Sequence, residues 1–212
     1  MKYKIKYQLR WLMILFLLSL VYFSSLILLK LPFFTIDFEL KSLKSGIGEM
    51  LISLLPRFNV EFHAYNLQMV VSWFCGVIFG PRFGCITLCI YILLGLIGFP
   101  VFSGGGGLSY IKEPTFGYLI SLPISVFLAG YLFEKNSKLL AVIIPVIVTH
   151  LCGIIYLVLF KRDWLSITWH LSFSMVSYDL IFILLLIPFM PVIVFFYREI
   201  FIQEVPVSGS VI

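Results

Sequence analysis

Apolar residues in this chain come in long unbroken runs divided by short polar punctuation, without a sustained alternation of apolar and polar positions. Such runs predict membrane-spanning helices, because backbone N–H and C=O groups in hydrocarbon must pair within their own segment, and barrel strands would carry a period of two. The first run, 11–31, is roughly 30 Å long as a helix. It follows Lys2, Lys4, Lys6 and Arg10, and it exceeds the apolar core of a cleaved leader, so it reads as a first span. A second span is expected over 67–79 and a third over 85–98, joined by a turn at Gly80-Pro81-Arg82; both are short for a bilayer core of about 30 Å. The fourth covers 116–133 with Pro123 inside, the fifth 139–160, and the sixth 174–197, bent at Pro188 and Pro191. The pattern therefore predicts an all-α membrane protein with six transmembrane helices, a single integral membrane domain over 1–212.

Between the first two spans, 32–63 carries Asp37, Glu39, Lys41, Lys44, Glu49, Arg57 and Glu61, too much charge for the bilayer interior. Leu43, Ile47, Met50, Leu51, Leu54 and Leu55 recur there at helical spacing, with Lys44 and Glu49 off that face. This predicts an extramembrane insertion holding an extra helix in the membrane interface.

Composition sharpens the class. Of 212 residues 61% are hydrophobic and only 12% charged, outside the range of a soluble domain. The net charge of +5 comes from 15 Lys and Arg spread along the chain, so a nucleic-acid partner is excluded. The basic cluster at the start places the amino terminus in the cytoplasm, and six spans return the carboxyl terminus to the same side of a bacterial cytoplasmic (inner) membrane. Cys75, Cys85, Cys89 and Cys152 lie in apolar runs without CxxC spacing and read as small packing residues. No metal or cofactor is expected. With no GxxxxGK[ST] anywhere in the chain, energy from ATP has to arrive through another subunit.

The stretch 80–118 departs from this regularity. It joins a short apolar segment to the four-glycine run Gly104, Gly105, Gly106 and Gly107, and irregular backbone at membrane depth is tolerated where it lines a cavity. Those glycines allow close approach to a ligand and offer main-chain N–H groups. Asp179 is the acidic residue set well inside a span, which makes it a functional candidate, the alternative being an Asp capped by Ser177 or Tyr178. His150, mid-span beside Thr149, either faces a cavity or donates across a helix interface. Gln68, opening the second span, either caps its helix or reaches a ligand. Enzyme readings fail residue by residue. Tyr178-Asp179 lacks a second intramembrane Asp for an aspartyl dyad, Gly107-Leu108-Ser109-Tyr110 is not a nucleophile turn, and a b-type haem needs paired buried histidines.

At GPRFG and YILLGLIGFPVFSGGGGLSYIKEPTFGY the sequence closely resembles the BioY family, the biotin-binding S components of energy-coupling factor (ECF) vitamin transporters. The likeness extends weakly to Asn66-Leu67-Gln68 upstream and Asp179 downstream. It implies a six-helix membrane subunit that binds biotin near the outer face under a glycine-loop lid, with a polar pair in the last helix. It also implies a T subunit and two ABC-type ATPase subunits as partners. On that reading Asp179 takes ureido N–H groups, Tyr91 and Phe182 wall the bicyclic ring, and Tyr110, Tyr118, Gln68 and His150 complete the ligand-binding set. Three departures stand out. Phe182 occupies the position three after Asp179 where family members carry Lys, which leaves Lys112 or the glycine N–H groups to hold the valerate. Phe116 replaces a glycine in the Pro-Thr-x-Gly-Tyr turn. The first span lacks an Ala-x-x-x-Ala docking pattern, leaving Ser19, Ser24 and Ser25 as docking candidates, or transport without a shared T subunit. Biotin and a related vitamin or precursor both stay open as the cargo, and a membrane enzyme using Asp179 or His150 is the remaining alternative.

Overall fold

The computed structural model describes residues 7–37 and 57–201. The chain divides into a helical unit and a separate strand unit, Leu28–Tyr65.

In the helical unit, α1 is Tyr7–Leu26, α2 Gln68–Phe79 and α3 Pro81–Ile97. A short 3-10 turn, Leu108–Lys112, precedes α4, Phe116–Glu134, and α5, Leu140–Phe160. Then α6, Trp164–Thr168, runs through one π turn, Trp169–Phe173, into α7, Ser174–Leu186. A 3-10 turn at Ile187–Phe189 leads into α8, Met190–Phe201. Helices α4 and α5 and the continuous stretch 164–197 are long and apolar enough to cross a membrane, and α2, α3 and the Leu12–Leu26 part of α1 are shorter apolar helices.

The element boundaries follow from local chemistry. A single residue, Gly80 at φ 90°, joins α2 to α3, and Pro81 opens α3 at a position whose missing N–H would have had no helical partner. The expected three-residue turn is therefore mostly helix. At the other end Gly98, at φ 119°, closes α3 in the left-handed conformation, and the N–H of Phe99 reaches back to the Leu94 carbonyl at 3.1 Å. Pro188 lies in the 3-10 turn, where the regular hydrogen-bond ladder is interrupted as its ring requires. The sixth apolar stretch starts ten residues earlier than its composition predicts, because the Trp-rich segment at 164–173 is itself helical. The first ends at Leu26, short of the expected boundary at 31, since Leu28 already belongs to a strand.

Helices α2, α3 and α4 meet backbone to backbone. A Cβ at Gly76 would overlap the Val126 carbonyl oxygen, one at Gly130 the Gly76 carbonyl, and one at Gly84 the Val126 side chain. Small residues bring membrane helices close enough for dispersion to hold them without a hydrophobic driving force. Fully buried Trp73 on α2 donates its indole N–H to the Ala141 carbonyl of α5 at 2.6 Å. Tyr197 of α8 stacks edge-on against Phe79 of α2, with ring centroids 4.9 Å apart. Ile147, Leu151, Ile155 and Val158 of α5 stay exposed at helical spacing, as a lipid-facing stripe does.

In the strand unit β1, Leu28–Asp37, pairs with β2, Arg57–Asn66. The strands replace the charged insertion expected here, and the period of β2 accounts for them. Phe58, Val60, Phe62 and Ala64 alternate with Arg57, Asn59, Glu61 and His63, a period of two. Phe33 stacks on His63 at 5.4 Å. The interfacial helix expected over 43–55 lies outside the described residues.

Candidate functional site

Two polar clusters flank the first turn of α2. One lies beneath the glycine loop. Leaving α3 at Gly98, the chain doubles back so that Phe102 and Gly105 exchange both backbone hydrogen bonds at 3.0 Å, and the Gly107 N–H donates to the Gly95 carbonyl at 2.7 Å. This drives the Phe102 ring into the notch left by Gly95, where any Cβ would overlap it. The buried ring sits 5.6 Å from the Tyr91 ring and 4.5 Å from the Tyr110 ring. Glycine is required at three of the four loop positions. Gly105 and Gly107 have φ of 111° and 101°, and a Cβ at Gly106 would overlap the Phe99 carbonyl oxygen. The main-chain N–H groups of Gly105 and Gly107 are thus committed within the loop. Gly104 is exposed beside the Tyr110 ring.

Hydroxyl groups tie this loop down. Tyr91 donates to the Val101 carbonyl at 2.5 Å and Ser25 to the same oxygen at 3.0 Å, with the Gln68 side chain beside the Tyr91 hydroxyl. Tyr110 and Thr115 hydroxyls pair at 3.1 Å. From α5, Tyr156 donates to the Ile111 carbonyl and the Lys161 ammonium to the Lys112 carbonyl. The Lys112 side chain is exposed, with no partner among the described residues. Ser24 and Ser25 are buried and bonded inward, so of the three serines proposed for docking only Ser19 lies partly exposed.

The second cluster lies between α2, α4, α5 and α7. His150 Nε2 on α5 is 2.9 Å from Asp179 Oδ2 on α7, and both residues are buried, 7% and 4% exposed. Tyr118 of α4 lays its ring edge-on to the imidazole at 5.8 Å and pairs its hydroxyl with Ser172 in the π turn at 2.7 Å. That ring fits because residue 153 is glycine; a Cβ there would overlap it. Ser125 and Thr149 hydroxyls pair at 2.7 Å, and Thr149 also points at the Met69 sulfur at 3.4 Å. Phe182, half-buried, sits one turn beyond Asp179. Phe116, the departure in the turn before α4, is buried against Tyr156.

The structure thus brings Tyr91, Gln68 and Tyr110 together with the loop, and His150, Asp179 and Tyr118 together in the second cluster. Sequence reasoning missed Phe102, Ser125 and Ser172. Ser125 carried one signal, a hydroxyl between Ile124 and Val126, whereas Phe102 beside the glycines and Ser172 among aromatic and polar neighbours carried none. Among the described residues Gln68 Nε2, Ser72 Oγ, Thr168 Oγ1 and His150 Nδ1 are buried without a hydrogen-bond partner. Three of these four belong to the helices that frame the two clusters.

Comparison with known proteins gives this arrangement a context. The BioY family model matches residues 45–198, from the strand unit through α7 into α8. A probable biotin transporter BioY of Lysinibacillus sphaericus is 34% identical over 108 residues, covering 48% of this chain and 55% of that protein. One from Pyrococcus horikoshii is 36% identical over 96 residues, covering 45% and 59%. The biotin transporter BioY of Rhizobium etli is 32% identical over 131 residues, covering 58% and 70%. The chain therefore spans little more than half the length of the first two relatives. Among solved structures, the S-component for biotin from an ECF-type ABC transporter superposes with a TM-score of 0.54 at 20% identity, over 92% of this chain and 94% of that one. That likeness establishes a shared helical fold. With a family model matching well over half its length, the chain belongs to the BioY family.

Proposed function

We propose that this protein is the membrane subunit that binds biotin and mediates its uptake across the cytoplasmic membrane, crossing it six times with both termini in the cytoplasm. It is a binding subunit and not an enzyme, energised by a T subunit and two ABC-type ATPases. The observation that carries this reading is the family match over residues that include the glycine loop and the buried Asp179. The relatives named above are biotin transporters, and the structural neighbour is the S-component for biotin of an ECF-type transporter.

The residues present suit such a ligand. Asp179 is a buried acceptor for a ureido N–H, Tyr91, Tyr118 and Phe182 offer aromatic walls, and Gln68 holds a spare buried donor. The Gly104, Gly105, Gly106 and Gly107 segment with Tyr110 forms the cover, and the exposed Lys112 ammonium of the same loop is the cation assigned to the valerate. The test is equilibrium binding of labelled biotin to the purified protein in lipid nanodiscs. Asp179→Ala should weaken binding by roughly ten- to a hundredfold, the scale of a hydrogen bond to a charged group, about 1.5–3 kcal/mol. Unchanged affinity would remove Asp179 from the site.

One observation favours a second cargo. Phe182 puts an apolar ring where an ammonium would fix a carboxylate, which relaxes selection for the valerate and admits a related vitamin or precursor. Competition of labelled biotin by desthiobiotin and by lipoate separates the two readings. Equal competition by lipoate, which lacks the ureido ring, favours the wider specificity.

A further inference from the structure

The His150–Asp179 pair has a spare valence that its own geometry does not explain. A carboxylate only accepts, so with Asp179 Oδ2 at 2.9 Å it is Nε2 of His150 that carries the proton. In the neutral imidazole the other nitrogen, Nδ1, then presents a lone pair. That Nδ1 is buried without a hydrogen-bond partner among the described residues, on a side chain only 9% exposed. Leaving a buried polar group unpaired costs about 1–3 kcal/mol. The hydroxyls around it are already engaged. Thr149, next in sequence, is paired with Ser125 and Met69, and the Tyr118 hydroxyl is paired with Ser172. The imidazole is also held from two sides, by Asp179 at Nε2 and by the edge of Tyr118 at 5.8 Å, so its free nitrogen has a fixed direction. A histidine kept only to satisfy Asp179 would need neither the second restraint nor a buried, unanswered acceptor.

We propose that His150 contacts the ligand through Nδ1, accepting a hydrogen bond from one N–H of the ureido ring, and that Asp179 additionally acts as a positioning residue by fixing the imidazole tautomer that makes Nδ1 an acceptor. This inference rests on biotin being the ligand. It assigns the recognition of a ring N–H to two spans that bring opposite ends of one imidazole into register, and it explains why a histidine is useful here. Gln or Asn serves one of the two directions but not both.

That geometry supplies the test. In His150→Gln the amide reaches the Nε2 side and keeps a donor for Asp179, with nothing at the Nδ1 position; His150→Asn does the reverse. Biotin affinity and thermal midpoint are measured for both variants and the wild type in nanodiscs, with biotin and with its two analogues methylated on one or the other ureido nitrogen. H150Q should keep a near-native midpoint yet bind biotin at least tenfold more weakly, and H150N should bind more tightly than H150Q despite a lower midpoint. One methylated analogue should bind the wild type at least tenfold more weakly than biotin, and that penalty should shrink to about twofold or less in H150Q. Native-like binding of biotin by H150Q would overturn the inference and leave the imidazole a structural partner of Asp179. Should H150Q fail to fold, the wild type decides alone: equal affinity for biotin and both analogues would overturn it too. If the wild type fails to bind biotin, the reading of function falls and this inference with it, an outcome distinct from normal binding by H150Q.

Discussion

The two polar clusters flanking α2 are built on opposite plans. Beneath the glycine loop the polar groups mostly answer one another: Tyr91 and Ser25 share the Val101 carbonyl, Tyr110 pairs with Thr115, and the glycine N–H groups turn back onto Phe102 and Gly95. Around His150 and Asp179 a charged group is buried in an apolar span and a ring nitrogen is left over. The first plan maximises the stability of one closed conformation. The second sacrifices stability, since burying a carboxylate against a single neutral imidazole costs more desolvation than one hydrogen bond repays. A region that lowers stability while staying well ordered is where a ligand-binding role is to be sought, and a region that satisfies itself is the scaffold or cover.

The largest separation of the two plans is expected from replacing the whole pair. In the double variant His150→Leu with Asp179→Leu, both polar groups leave together and no orphan remains. Replacing even a buried ion pair by apolar side chains is commonly neutral or stabilising by about 1–4 kcal/mol, and a carboxylate on a neutral imidazole has less attraction to repay its desolvation. The thermal midpoint should therefore hold or rise while biotin binding falls below detection. A variant that lost both stability and binding would instead mark the pair as part of the scaffold.

How much of this was legible in the sequence differs between the clusters for a physical reason. The glycine run announced an irregular segment, because a positive φ or a close approach leaves glycine as the economical residue, and three of the four positions do need it. Asp179 and His150 were each visible as polar residues within apolar runs. Their pairing was not, because it depends on how α5 and α7 are rotated about their axes, and a π turn at Trp169–Phe173, upstream of the α-helical segment that carries Asp179, shifts that register by an extra residue. Phe102 was hidden for another reason. An aromatic next to glycines looks like any loop residue until Gly95, one helix end away, is seen to be its socket. The strands Leu28–Asp37 and Arg57–Asn66 were legible in the period of β2, but charge was the louder signal there.

The next effect in size bears on the loop. Phe102 is 3% exposed and wedged between Gly95, Tyr91 and Tyr110, so truncation empties a socket that nothing nearby can refill. Phe102→Ala should cost about 3–5 kcal/mol in the stability of the closed loop. Limited proteolysis reads this directly, with cleavage between residues 99 and 112 appearing in the variant before the helices yield. Affinity for biotin should fall by a smaller factor than in Asp179→Ala, since in the proposed site the loop is the cover and Asp179 the buried acceptor. Cleavage at the native rate would mean that the loop is held by its backbone bonds alone.

The smallest effect is the most discriminating about how that loop is held. Tyr91→Phe removes the shorter of two donors to the Val101 carbonyl and leaves at 3.0 Å the Ser25 hydroxyl, which can turn its one proton from the Tyr22 carbonyl at 2.7 Å, so the acceptor is not orphaned. The cost should be that of one replaceable hydrogen bond, about 0.5–1.5 kcal/mol, seen as a modest rise in the loop's proteolysis rate. Adding Ser25→Ala to the same protein strips the carbonyl of both donors, and the two changes should then cost more together than the sum of each alone, because only the double variant leaves a buried oxygen unpaired. Strict additivity would show that water replaces the lost donors and that this end of the loop opens to solvent even when closed, which would place the cover nearer in character to a mobile flap than to a self-satisfied scaffold.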